Sequence, residues 1–98
     1  MIFTLNSKNN WEIYNNKPDI EKINLLLGEM GLQILESINQ GANNSLSIKM
    51  LSGVPIECII GRLPVLIQLG LIKCKINKSD NYEYFITKNG KDFLIQIN

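Results

Sequence analysis

The 98-residue chain contains no histidine. That removes the usual general base at neutral pH and the commonest metal ligand. Only two cysteines occur, Cys58 and Cys74. They form no Cys-x-x-Cys pair, so reduced thiols are expected rather than a disulfide framework. Two thiols and scattered acids are also too few ligands for a metal centre. There is no Gly-rich phosphate loop, no Ser or Cys with a histidine base and no close acid pair in a catalytic motif. The expectation is a chain that is not an enzyme and has no cofactor. No apolar stretch approaches the roughly 20 residues of a membrane span. The longest candidate, residues 56–72, is interrupted by Glu57, Arg62, Pro64 and Gln68. The run Met1-Ile2-Phe3-Thr4-Leu5 is too short for a secretory signal, so a cytoplasmic location is expected. Repeats and low-complexity segments are absent.

The chain is 45% hydrophobic and 19% charged, the balance of an ordinary folded domain with one modest core. Net charge is only +1, too little to advertise a nucleic-acid partner by itself. Its distribution is less neutral. Residues 1–40 carry three lysines against five acids, and residues 41–98 carry seven cations against four acids. Any phosphate-facing surface is therefore expected in the second half.

Residues 45–72, SLSIKMLSGVPIECIIGRLPVLIQLGLI, organise the rest. A short helix is expected over residues 46–51, with Ser45 or Ser47 as its N-cap. Ser52-Gly53-Val54-Pro55 reads as a turn in which Gly53 can take a positive φ. Pro55 suits the first turn of a second helix, Ile56–Gln68, because its missing N–H is not needed there. Gly70 ends that helix and Leu71-Ile72 begins a strand. Pro64 removes one helical hydrogen bond, so a bend near Gly61 and Pro64, or two shorter segments, is an open alternative. Helix, short Gly-containing turn, helix is the pattern of a helix-turn-helix unit.

Lys73-Cys74-Lys75-Ile76 and Tyr82-Glu83-Tyr84-Phe85-Ile86-Thr87 flank the polar tip Asn77-Lys78-Ser79-Asp80-Asn81, which signals a β-hairpin. Lys88-Asn89-Gly90-Lys91-Asp92-Phe93-Leu94 then leads into a last helical turn or short helix. Leu63 with Leu66, Leu69-Gly70-Leu71-Ile72, and the segment from Tyr84 through Thr87 and Gly90 to Leu94 together resemble small archaeal and bacterial winged helix-turn-helix regulators. The resemblance covers residues 29–95. It implies an α+β, mostly α fold, a winged helix-turn-helix with a three-helix core and a C-terminal β-hairpin wing. It also implies transcription regulation through double-stranded DNA, with the second helix in the major groove.

Residues 1–28 lie outside that pattern. Ile2-Phe3-Thr4-Leu5 reads as a strand, and Trp11, Ile13 and Tyr14 need a cover. Ile20, Ile23, Leu27 and Met30 share a helical face. Gly28 and Gly31 predict a break before a core helix ending at Gln40, in which Leu32, Ile34, Leu35 and Ile38 point inward. Residues 1–28 are thus expected as an N-terminal extension that can make a homodimer, and residues 29–98 as the winged-helix domain.

If Ile59, Leu63 and Leu66 face the core, the second helix shows Ile56, Glu57, Ile60, Gly61 and Pro64 outward, with Arg62 and Cys58 to the side. Base edges are read mainly by Arg, Lys, Asn and Gln, with apolar contacts to thymine methyls as a supplement. Arg62 supplies the polar contact, Ile56 and Ile60 suit thymine methyls, and Glu57 suits a cytosine amine. Lys73, Lys75 and Lys78, with Tyr82 near the tip, form a basic wing suited to phosphate, and Lys49 can join them. The same outward face is apolar enough to bind protein instead, through Ile56 and Ile60. Both partners stay open at this point.

Overall fold

The computed structural model describes residues 20–97. They form α1 (Ile20–Asn39), α2 (Ser45–Ser52), α3 (Ile56–Gln68), β1 (Ile72–Ile76), β2 (Tyr82–Ile86) and α4 (Lys88–Ile97). The fold is α+β and mostly α, with one two-stranded antiparallel sheet. The readings of Ile2-Phe3-Thr4-Leu5, Trp11, Ile13 and Tyr14 fall outside the described residues.

α1 changes direction at Gly28, where φ is 64° and ψ −177°. Only glycine adopts that backbone region readily. Ile23 and Leu27 before the kink, and Ile34, Leu35 and Ile38 after it, enter one buried core. Met30, expected on the same face, is exposed, and Leu32 is only half-buried. Burial of Ser37 is compensated by its hydroxyl, which donates to the Ile34 carbonyl at 2.7 Å. The chain leaves α1 with the Ala42 amide donating to Ser37 O and the Gly41 amide to Ile38 O, a Schellman ending.

α2 is capped by Asn44, not by Ser45 or Ser47. The Ser47 amide donates to Asn44 Oδ1 at 2.8 Å, and the Asn44 amide donates to Ser47 Oγ at 3.2 Å. Asn44 is extended at φ −143°, ψ 169°, the conformation an N-cap requires, while Ser45 is already helical. Gly53 ends α2 at φ 76°, and its amide donates to Lys49 O at 2.8 Å. Pro55 is the N-cap of α3 rather than its first helical residue; its carbonyl accepts from the Ile59 amide.

α3 is a single helix through Pro64. Pro64 deprives the Ile60 carbonyl of its usual intrahelical donor, but both residues lie on the exposed side. The helix closes with the Gly70 amide on Ile67 O and the Leu71 amide on Leu66 O. This turns the chain directly into β1.

β1 and β2 pair with Ile72 opposite Ile86, Cys74 opposite Tyr84 and Ile76 opposite Tyr82. The outer edge of β2 touches the α1–α2 connection, where the Tyr84 amide donates to Asn43 O at 2.9 Å. α4 is ten residues long, more than a last turn. Thr87 anchors its start: the hydroxyl donates to Gly70 O at 2.6 Å and accepts from the Gly90 amide at 3.0 Å. Phe93 and Leu94 then complete the core against α1.

Candidate nucleic-acid interface

The connection between α2 and α3 is three residues, Gly53-Val54-Pro55, and the helix axes turn through 108° there. Val54 is buried under the corner and holds it. Ile59, Leu63 and Leu66 are buried, which sets the azimuth of α3. At about 100° per residue, the opposite side carries Glu57, Gly61, Pro64 and Gln68. All four are exposed. Ile60 and Ile67 are exposed on one flank; Cys58 and Arg62 are half-buried on the other. Ile60 is 58% exposed, as the outward reading required. Ile56, expected outward with it, is half-buried because its azimuth lies closer to that of Leu63.

The hairpin separates its residues by alternation. Lys73 and Lys75 are exposed on one face, across from Phe85 and Glu83. The Lys75 ammonium sits 5.6 Å from the centre of the Phe85 ring, within cation–π reach. Tyr82 belongs to the other face, opposite Ile76, so it does not join Lys73 and Lys75. Lys78 is exposed at the tip. The tip is built on Asn77, whose Oδ1 accepts from the Ser79 and Asn81 amides. Asp80 takes a left-handed φ of 62° to close it. Lys49 is exposed on α2.

The nine candidate residues therefore do not form one cluster. They occupy an outward α3 face (Glu57, Ile60, with Ile56 and Arg62 at its margins), a basic hairpin face (Lys73, Lys75), the opposite hairpin face (Tyr82), the hairpin tip (Lys78) and α2 (Lys49). Lys88 and Asp92 form an exposed i,i+4 salt bridge; the lysines of the hairpin take no part in it. Among the described residues no group of His, Cys, Asp or Glu is placed to hold a metal. No single helix there is long and apolar enough to cross a membrane.

Two features were missed in the sequence. Leu46 and Met50 of α2 are 62% and 76% exposed, one helical turn apart, and Leu51 lies beside them. The signal was available, since Ile48 takes the inward position and leaves the i,i+4 pair outside. The second is an open hollow between the start of α2 and the hairpin, lined by Leu46, Asn77, Tyr82 and Tyr84 among others. Tyr84 is half-buried there. Burial, then the neighbouring Cys74 and Tyr82, raises its phenol pKa above the ordinary value. It stays a neutral donor at physiological pH.

Comparison with protein-family models, with curated proteins and with solved structures finds no match to this chain.

Proposed function

We propose that this chain is a winged-helix DNA-binding protein that regulates transcription in the cytoplasm and is not an enzyme. The observation that carries the reading is the 108° corner between α2 and α3. It falls within the roughly 90–120° of a helix-turn-helix, and a hairpin with two lysines on its outward face follows directly. In this reading α3 enters the major groove of double-stranded DNA. Lys73, Lys75 and Lys78 lie along phosphate, and Lys49 adds a further cation. The cation excess over residues 41–98 supports it. A homodimer through residues 1–28 belongs to the same reading; Leu25 and Leu26 on α1 are exposed and suit such a contact. Reversing the charge of Lys73, Lys75 and Lys78 together should weaken binding to every duplex alike. The salt slope should fall by about one unit per lysine. Unchanged affinity overturns the role of the wing.

A second reading is favoured by the exposed apolar side chains Leu46, Met50 and Ile60. Exposed apolar side chains that gather into a contiguous patch mark protein contacts. Here the same corner binds a protein partner and reads no base sequence. Ile60→Asp should then dissolve a complex or dimer while the monomer keeps its melting curve, as mass measurement and circular dichroism would report. Unaltered assembly removes this reading.

A further inference from the structure

We propose that α3 reads the 5-methyl groups of thymine, with Ile60 as the specificity-determining side chain; the inference rests on the DNA-binding reading above. The outward side of α3 is Glu57, Gly61, Pro64 and Gln68, with Ile60 and Ile67 exposed on one flank and Val65, less exposed than Ile60, towards the other. A guanine edge offers two acceptors to the major groove and needs a donor. The first three turns of this face provide none, since Arg62 is half-buried on the opposite flank and Gln68 stands at the last residue. Thymine instead offers a methyl group, and an exposed branched aliphatic side chain is its partner.

Gly61 makes the approach possible. A Cβ there would meet nothing within 4 Å, so the middle of the outward side is bare backbone, and α3 can come close enough for Ile60 to cover a methyl. Glu57 on the same side is an acceptor only, suited to an amino group and opposed to phosphate. The cations that hold the backbone lie elsewhere, at Lys73, Lys75 and Lys78. Charge thus sets affinity on the hairpin, and apolar surface sets base preference on α3.

The test compares an alternating adenine–thymine duplex with its adenine–uracil twin, which lacks only the methyl groups, by fluorescence anisotropy at low salt. The wild-type chain should bind the thymine duplex more tightly, by roughly fourfold for each methyl covered. Ile60→Ala, at an exposed position, should bind both duplexes equally and keep the salt-dependent remainder. Equal wild-type affinity for the two duplexes, or preference for uracil, overturns the methyl reading and leaves DNA binding standing. Failure to bind either duplex overturns the methyl reading together with the DNA-binding function beneath it.

Discussion

Asn44 and Ser47 exchange two hydrogen bonds at the start of α2, each satisfying an amide that the helix leaves without a partner. The helix is only eight residues long, too short to hold itself by propensity. Asn44→Ala should therefore cost the domain about 1 kcal/mol, read as a lower urea midpoint with an unchanged slope. Three consecutive cap-forming residues, Asn43, Asn44 and Ser45, made the boundary ambiguous in the sequence. Ser47 at the third helical position decides it, because its hydroxyl reaches back to the Asn44 amide. That signal is weaker than a Glu or Gln in the same place. Pro55 was likewise displaced by one residue, since proline suits both the cap and the first turn of α3.

Elements were more legible than their ends. Ile59, Leu63 and Leu66 recur at one helical face, and that spacing alone oriented α3 correctly. Alternation within Lys73-Cys74-Lys75-Ile76 and Tyr82-Glu83-Tyr84-Phe85 puts Lys73, Lys75, Glu83 and Phe85 on one face and Cys74, Ile76, Tyr82 and Tyr84 on the other. Alternation does not tell where the core stops, so it could not show that Ile76 and Tyr82 extend beyond it into solvent. Nor could it show that Asn43 supplies a bond to the edge of β2, a contact between segments far apart in the chain. α1 illustrates the same limit. Gly28 and Gly31 both marked a break, but only Gly28 takes the non-helical backbone; Gly31 is buried, and a Cβ there would lie 2.9 Å from Leu27 Cβ. In a straight helix Gly28→Ala would add stability. At the observed φ and ψ it should instead cost about 1–3 kcal/mol, and the sign of the change in a thermal melt tests the kink.

Among the described residues the interior is well satisfied, and large apolar side chains stand outside it. Every buried side-chain nitrogen and oxygen among the described residues has a hydrogen-bond partner. Outside, large apolar side chains stand exposed on every helix: Leu25 on α1, Met50 on α2, Ile60 on α3 and Ile95 on α4. A helical period gives the inward face and, by elimination, the apolar side chains left outside, but not which of them come together in space. The candidate site was therefore legible as positions and not as a surface. Lys73 and Lys75 share a face, whereas Tyr82, expected beside them from its place near the tip, lies on the other.

In the proposed reading the basic hairpin lies along the DNA backbone while the apolar side of α3 faces the major groove. The decisive measurement is affinity for a mixed-sequence duplex, by fluorescence anisotropy across a series of salt concentrations with subunit mass followed in parallel. Binding should be micromolar or tighter at low salt. The logarithm of affinity should fall linearly with the logarithm of salt, with a slope of about −0.9 for each phosphate neutralised. No binding at low salt, or binding indifferent to salt, contradicts it and gives the face around Ile60 to a protein partner.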